Sequence, residues 1–344
     1  MVNREVLVST VASGETVFKA AIDDTPATAF TRYRSIDSSD SVDRGVVIEE
    51  SMDQVAASNI EAGTYVVKGS ISGAFRTDPT SLKLLVGAMG VQQSGSTPEG
   101  TYYLEQTPQE LALFIIDEQA NNNAGTGTYY EGVGISGMEF NIEVKKFATV
   151  KWSWIGMRGI TTDTPVNDAS PPTYSNFPMY VFYNAVLAFG GTALKMKGLT
   201  MSIERKMDED YYYIGSQFLQ GLFYNGLTTL GGTFNLGAGE WDILERTING
   251  STSAGGLDGA HTQFTAANEN AIASGILRVT LTPPGGSADS GKPVVVINAA
   301  SCKVTSMSRD VTGRAMWNKT AQWQGQLSTS SDFSVVVSTI AAPP

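Results

Sequence analysis

The residue types that most often carry chemistry are scarce in this chain. It has one cysteine, Cys302, and one histidine, His261, among 344 residues. A lone cysteine cannot form an internal disulfide, and this pair is too small a set for a zinc site. A Ser-His-Asp triad and a Cys-His pair are disfavoured for the same reason, and His261 is predicted to lie in a solvated loop. No catalytic residue, cofactor or metal ion is expected.

One glycine pattern could bind a nucleotide. The stretch YYEGVGISGMEFNIEVKKFATVKWSWIG, residues 129–156, spells G-x-G-x-x-G between Gly132 and Gly137. That fingerprint requires a helix after the last glycine, so that the pyrophosphate lies at the helix N-terminus. From Met138 onward, however, apolar and polar residues alternate with the period of a strand. The apolar phase changes around Ser136, so the stretch is interpreted as a strand with a β-bulge.

Carboxylates are the remaining candidates for chemistry. The run Asp208-Glu209-Asp210 lacks the roughly five spaced oxygen ligands and the turn glycine of a calcium loop, and it is interpreted as an acidic turn between a strand and a helix. A glycan-active β-sandwich could use two carboxylates, but no spacing within 208–210 and 240–245 singles out a pair. We therefore predict that the chain is not an enzyme.

The composition also excludes several classes of protein. The net charge is -11, which argues against a general nucleic-acid binder, although DNA could slide past such a surface without adhering. Only 17% of residues are charged, which is typical of surfaces that are later buried against neighbours. The N-terminus lacks a signal-peptide pattern and no run of 18 apolar residues occurs, so we expect a protein made in the cytoplasm that does not enter a membrane.

Strands are predicted to dominate the elements that position these residues. Strand patterns occupy 64–76, 192–205, 274–282 and 293–297. The best helix is predicted over 78–90, with Asp78 as N-cap, Gly90 as the closing residue, and an apolar stripe of Leu82, Leu85, Val86 and Met89. Two further helices are predicted at 215–226 and 239–248. Trp152 and Trp154 share one strand face and are expected to pack in the core or between subunits.

The chain divides into two halves that look alike. Residues 158–178 are rich in Pro, Thr, Asp and Ser and predict a linker, which gives a first domain at 1–157, including an N-terminal arm, and a second at 179–344 with Gly/Ser/Ala-rich insertions. Residues 169 positions apart match in type: Ile135, Met138, Ile142, Trp154 and Gly156 fall on Val304, Met307, Val311, Trp323 and Gly325. A second offset, of 129, aligns VKG at 67–69 and Arg76 with MKG at 196–198 and Arg205. A tandem duplication is the interpretation.

The segment 129–156, together with IERKMD at 203–208 followed by YYIGS at 212–216, resembles the tail tube proteins (major tail proteins) of long-tailed bacteriophages and archaeal tailed viruses. The resemblance covers about residues 45 to 340. It implies mainly-β domains, each a β-sandwich or split barrel with a flanking helix, whose sheets join those of neighbouring subunits into a ring-shaped β-barrel around a channel.

The resemblance also implies a structural role and a set of partners. Rings would stack into the viral tail tube, assembled in the host cytoplasm, with the tape measure, tail terminator and tail tip proteins as partners. DNA would pass through as transient, non-specific cargo during genome ejection. With a duplicated domain a trimer of pseudo-sixfold symmetry is favoured over a hexamer.

One strand face is the candidate channel wall. Glu139, Asn141 and Glu143 alternate with apolar residues, and their second-half counterparts are Ser308, Asp310 and Thr312. An acidic lumen would repel phosphate and keep DNA mobile. The alternative is that this face meets outer solvent. A different class of function also stays open, namely a β-rich virion adhesin or decoration protein.

Overall fold

A computed structural model of the chain describes residues 3–10, 31–33, 35–49, 59–90, 92–94, 99–105, 111–118, 126–162, 179–214, 216–221, 224–236, 275–284, 292–310 and 318–338. These residues form a mainly β fold, as predicted. Its strands are β1 (Asn3–Thr10), β2 (Thr31–Tyr33), β3 (Ser35–Glu49), β4 (Asn59–Ala74), β5 (Gln92–Ser94), β6 (Gly100–Tyr103), β7 (Leu111–Glu118), β8 (Thr126–Glu143), β9 (Thr149–Gly156), β10 (Arg158–Thr162), β11 (Ala185–Phe189), β12 (Thr192–Leu194), β13 (Met196–Glu204), β14 (Thr229–Leu236), β15 (Gly275–Leu281), β16 (Val294–Asp310), β17 (Asn318–Gly325) and β18 (Phe333–Ser338). Helix α1 spans Pro79–Met89, and short 3₁₀ helices span Phe182–Asn184 and Ser330–Asp332.

One eight-stranded antiparallel sheet runs through both halves of the chain. Its order is β3-β4-β9-β8-β13-β14-β17-β16. Two flanking groups of strands extend from it. One is β2-β1-β7-β8-β10, from the first half. The other is β12-β11-β15-β16-β18, from the second half, to which β6 of the first half adds at the end. The long strands β8 and β16 therefore each take part in two groups, with their first parts in a flanking group and their last parts in the eight-stranded sheet. Such strands form the corners of β-sandwiches.

A β-bulge marks the corner of each long strand. The register of β8 against β9 shifts between Ile135 and Gly137, which confirms the bulge predicted there and places the G-x-G-x-x-G stretch inside a strand. The register of β16 against β17 shifts between Val304 and Ser306. Because a bulge bends a strand and increases its twist, it suits the point where the strand passes from its flanking group to the eight-stranded sheet.

The strands of the two halves occupy matching places with matching registers. Trp154 lies opposite both Ile135 and Gly69, while Trp323 lies opposite both Val304 and Gly232. In the flanking groups, the pairing of β7 with β8 has a register shift just after Leu111. The pairing of β15 with β16 has one just after Gly275. In this order, β1 to β4 correspond to β11 to β14, and β7 to β10 correspond to β15 to β18. We call two residues in matching places counterparts.

The matching registers show which of the two sequence offsets describes the sheet. The offset of 169 agrees with it, since Ile135 and Val304 are counterparts, as are Trp154 and Trp323. The alignment of 67–69 with 196–198 is wrong, because Gly69 lies opposite Trp154 and the residue opposite Trp323 is Gly232. The triplets are similar because both belong to amphipathic strands with a glycine, a pattern that recurs along the sheet.

Helix α1 has the predicted caps and buried stripe. Asp78 accepts a hydrogen bond from the Ser81 N–H at 3.2 Å, and Gly90, at φ 111°, donates its N–H to the Val86 carbonyl. Leu82, Leu85 and Met89 are buried in the main core and Val86 packs against it; Leu84 and Ala88 are also buried, so the helix is enclosed on more than one side.

The helix predicted at 215–226 is wrong for the residues that the structure describes. The segment instead lies along β4, where Gln217 accepts a backbone hydrogen bond from Tyr65 at 2.8 Å and Phe218 forms a parallel bridge with Tyr65. Leu219 is fully buried in a small cluster with Val66 and Ile155. Tertiary packing therefore overrides the helical period. The helix predicted at 239–248 and the loop around His261 lie outside the described residues.

The segment predicted as a linker begins with a strand. Residues 158–162 form β10, which pairs with β8 from Arg158 opposite Glu131 to Thr162 opposite Gly127. The rest of that segment lies outside the described residues. Trp152 and Trp154 are buried in the main core, as expected, and this core continues through both halves to Trp323 and Val337.

Candidate functional site

The residues predicted for the channel wall lie on one face of β8. Glu139 is exposed, and Asn141 and Glu143 are half-buried, whereas the alternate residues Met138 and Phe140 are buried. This is the alternation expected of a strand with one face on the core and one in contact with solvent. The core holds the strand in register, because a slip of one residue would exchange the two faces.

Charges on this part of β8 are locally compensated. Glu143 accepts a hydrogen bond from the Lys146 ammonium at 2.5 Å and another from the Asn141 amide at 3.3 Å, and these bonds lower the pKa of its carboxyl below the ordinary value. Glu139 lies opposite Lys151 on β9 and opposite Ser202 on β13. The acidic character expected from Glu139 and Glu143 is therefore moderated by two lysines.

The second-half counterparts lie at the far end of the sheet. Ser308 is exposed and lies opposite Thr320, and Asp310 lies opposite Asn318 at the end of β16. Thr312 lies outside the described residues. Next to this group, the Ser306 hydroxyl is 3.0 Å from the Gln322 amide oxygen. The two candidate groups are therefore on the last parts of β8 and β16, in matching places of one sheet.

The same face extends over every strand of the eight-stranded sheet, which the sequence analysis did not foresee. We call it the polar face, and at the alternate positions of the described strands it carries Asp37, Ser39, Ser41, Lys68, Ser70, Ser72, Lys151, Ser153, Glu139, Asn141, Glu143, Thr200, Ser202, Glu204, Thr229, Thr233, Asn235, Thr320, Gln322, Gln324, Ser306 and Ser308. Most of these residues carry a hydroxyl or an amide. The alternation of serine and threonine in KGSIS at 68–72 and TMSIE at 200–204 is the signal that could have located them.

Hydrogen bonds join the strands across the polar face. The hydroxyls of Ser39 and Ser70 are 2.9 Å apart, and Ser41 donates to the Lys68 carbonyl at 3.4 Å. The Thr320 hydroxyl is 3.4 Å from the Asn235 amide oxygen. Short side chains that bond to each other and to the backbone leave a surface with few long projections, and little on it is arranged to grip a ligand.

The loop between β13 and β14 contains the acidic and tyrosine run. Asp208 accepts a hydrogen bond from the Asp210 N–H at 3.0 Å, so this is an acidic turn as predicted, although no helix follows it in the described residues. Glu209 pairs with Lys68 on β4. Beyond the turn Tyr213 is 58% exposed and Ile214 is fully exposed. The loop is thus anchored through Glu209 and carries two exposed, largely apolar side chains.

Neither a metal centre nor a substrate pocket is apparent in the part of the chain that the structure describes. No group of three or more His, Cys, Asp and Glu side chains there could hold a metal ion. An apolar cleft of 70 Å³, lined by Ile142, Leu187 and Leu199 among others, is far smaller than the roughly 300–1,000 Å³ of usual ligand sites. Among these residues no helix has the length and apolar character to cross a membrane.

A comparison of the sequence with models of protein families gave a match. The family model described as phage tail tube protein matches residues 11–306, which is most of the chain. The chain belongs to the phage tail tube protein family. A comparison with curated proteins found no significant match. As a tail tube protein it is a structural component of the virion tail.

Proposed function

We propose that this tail tube protein forms rings that stack into the tail tube, and that the polar face lines the channel through which the genome is ejected. The observation that carries the proposal is the continuity of the polar face over all eight strands, with the buried core on the opposite side. A surface of hydroxyls and amides with few net charges neither binds phosphate through clustered cations nor presents apolar patches to DNA.

The two halves are proposed to be tandem repeats of one tube domain. Their support is the matching order and register of eight strands in each half, including the bulges after Ile135 and Val304. In a ring each half would take one of six equivalent places, so three chains would complete it with pseudo-sixfold symmetry. A ring of six chains is the alternative.

Stacking is proposed to use surfaces outside the eight-stranded sheet. The loop between β13 and β14 carries the exposed Tyr213 and Ile214, and exposed apolar side chains suit burial against the next ring. At the ends of the tube the partners would be the tape measure, tail terminator and tail tip proteins. DNA would be transient cargo without sequence-specific contacts, and assembly would occur in the host cytoplasm.

Electron microscopy and native mass spectrometry of the purified protein test this proposal together. Rings or tubes with the mass of three chains per ring are expected. Rings of six chains would overturn the trimer but leave the tube. A discrete particle that never stacks and that binds cells or glycans would overturn the tube and favour a virion adhesin or decoration protein.

A further inference from the structure

The junction between the two halves of the chain is a complete strand pairing. The last part of β8 pairs with β13 from Gly137 opposite Glu204 to Glu143 opposite Gly198. Backbone bonds from Arg205 to Ser136 at 2.8 Å and from Val144 to Lys197 at 3.0 Å extend it at both ends. These bonds make Met138 and Ile203 a hydrogen-bonded pair. Glu139 and Ser202 are consequently a non-hydrogen-bonded pair, in which side chains lie closest.

The counterparts of β8 and β13 are β16 and β3. These are the two end strands of the eight-stranded sheet. In the described residues the last part of β16 pairs on one side with β17, and no strand lies along its other side beyond Cys302. Among the strands that the structure describes, β3 pairs with β4 alone, along 35–49. An edge strand leaves a row of backbone donors and acceptors ready for another chain.

Side chains on β3 are exposed where their counterparts are buried. Val42 lies opposite Val67 in the same way that Ile203 lies opposite Leu230, yet Val42 is 53% exposed and Ile203 only 2%. Arg44 is likewise exposed, whereas its counterpart Arg205 is 3% exposed. Arg205 stacks on Tyr224 of its own half and donates to the carbonyl of Glu105, which belongs to the first half, so the other half of the chain provides part of its burial. A second copy would do the same for Val42 and Arg44.

We propose that the last part of β16 pairs antiparallel with β3 of a neighbouring copy in the register of the β8–β13 junction. In this register Ser308 lies opposite Ser41 of the neighbour, Met307 opposite Val42, and Ser306 opposite Asp43. The two edges are at opposite ends of one sheet and are not paired with each other in the chain, so the pairing would continue from copy to copy. This inference rests on the proposed ring and specifies how its protomers meet.

Cross-linking tests the register. Ser41 and Ser308 are both exposed and would form a non-hydrogen-bonded pair, which brings their Cβ atoms within reach of a disulfide. The double variant Ser41→Cys with Ser308→Cys should oxidise to covalent oligomers that end at the size of the closed ring. The native Cys302 is fully buried and does not compete. Each single variant should remain a monomer on a non-reducing denaturing gel.

Two matched pairs serve as controls. Glu139→Cys with Ser202→Cys places the same bond at the junction within the chain, so it should give an oxidised monomer and show that the sheet has folded. Ser39→Cys with Ser308→Cys uses the same face two residues out of register and should cross-link far less. Rings in the microscope without the Ser41–Ser308 cross-link, or with cross-linking in the shifted pair, would overturn the register while leaving the tube. Absence of rings in the unmodified protein would overturn both.

Discussion

Gly69 lies directly opposite Trp154, and the indole occupies the space that a side chain on Gly69 would need. A Cβ placed on Gly69 would lie 2.6 Å from Cε2 of Trp154. Gly232 lies opposite Trp323 in the same register, but there a Cβ would meet the backbone of β13 and would lie 2.9 Å from the carbonyl carbon of Thr200. Each half thus combines a buried tryptophan with a glycine that lets the neighbouring strand approach.

Alanine at either glycine is expected to destabilise the fold. Gly69→Ala or Gly232→Ala overpacks a rigid part of the sheet, and a loss of about 1–3 kcal/mol in the free energy of unfolding is expected. Urea unfolding followed by tryptophan fluorescence measures it. The matched control is Gly137→Ser, where the nearest atom to a new Cβ is the Ile203 carbonyl oxygen at 3.3 Å and where the counterpart, Ser306, already carries a side chain. Equal losses in all three variants would contradict this explanation.

Two ion pairs of different burial should differ in their contribution to stability. Arg158 contacts Glu131 at 2.5 Å, and the Glu131 side chain is only 6% exposed. Arg158→Met leaves that carboxylate buried without its cation, so a loss of about 2–4 kcal/mol is expected. The pair Lys146–Glu143 is largely exposed, and Lys146→Met should change stability by less than about 0.5 kcal/mol. Similar values from thermal unfolding of both variants would argue against the difference.

Charge reversal on the polar face should slow genome ejection. Glu139→Lys together with Glu143→Lys adds cations to a surface proposed to face DNA, and a several-fold slower release is expected, with normal tube assembly. Virions carrying the variant can be compared by dye-detected DNA release in vitro, at low and high salt. Lys195→Glu reverses an exposed charge between β12 and β13 and should leave the rate unchanged. An unaltered rate in the double variant would place the polar face outside the channel.

Val42 and its counterpart Ile203 should respond differently to the same change. Val42→Asp alters a side chain that is 53% exposed, so the chain should fold but fail to form rings, because the charge would be buried at the contact between copies. Ile203→Asp buries the charge inside the chain and should prevent folding. Size-exclusion chromatography and thermal unfolding separate the two outcomes, with Val42→Thr as an assembling control. Rings formed by Val42→Asp would contradict burial of Val42 between copies.

Cys302 should be unreactive in the folded protein. Burial away from water raises the pKa of its thiol to about 12, so almost no thiolate is present at pH 8. Iodoacetamide should label the chain only after denaturation, as measured by intact mass. Because the folded-state pKa lies above the ordinary value of 9.0, this group's contribution to stability is complete below pH 9 and is lost as the pH rises toward 12. Rapid labelling of the native protein at pH 8 would contradict this burial.

The sequence was most informative where local rules and tertiary packing agree. Asp78 and Gly90 delimit α1 because capping depends on nearby backbone groups, and the phase change at Ser136 located a bulge because the faces of a strand alternate strictly. The segment around Phe218 misled the prediction, since its apolar spacing suits a helix equally well. Only the contact with Tyr65, distant in sequence, decides its conformation.

The candidate site was predicted in part for a similar reason. Alternation on β8 identified Glu139, Asn141 and Glu143 as sharing a face, but it could not show which strands lie beside them. Ser70, Thr200 and Gln322 join that face only through pairings that link residues far apart in the chain. A short hydroxyl residue in a strand carries little signal by itself, and the pattern becomes visible once the order of strands is known.

The β8–β13 junction has a mechanical consequence for a ring of three chains. Three of its six seams would lie inside a polypeptide, where the covalent chain keeps the two strands near each other even if their hydrogen bonds break. The other three would lie between chains and rely on pairing and packing alone. Under the load of a contracting, bending or pressurised tail, such a ring would open first at alternate seams, so its weakest points would repeat every third of a turn.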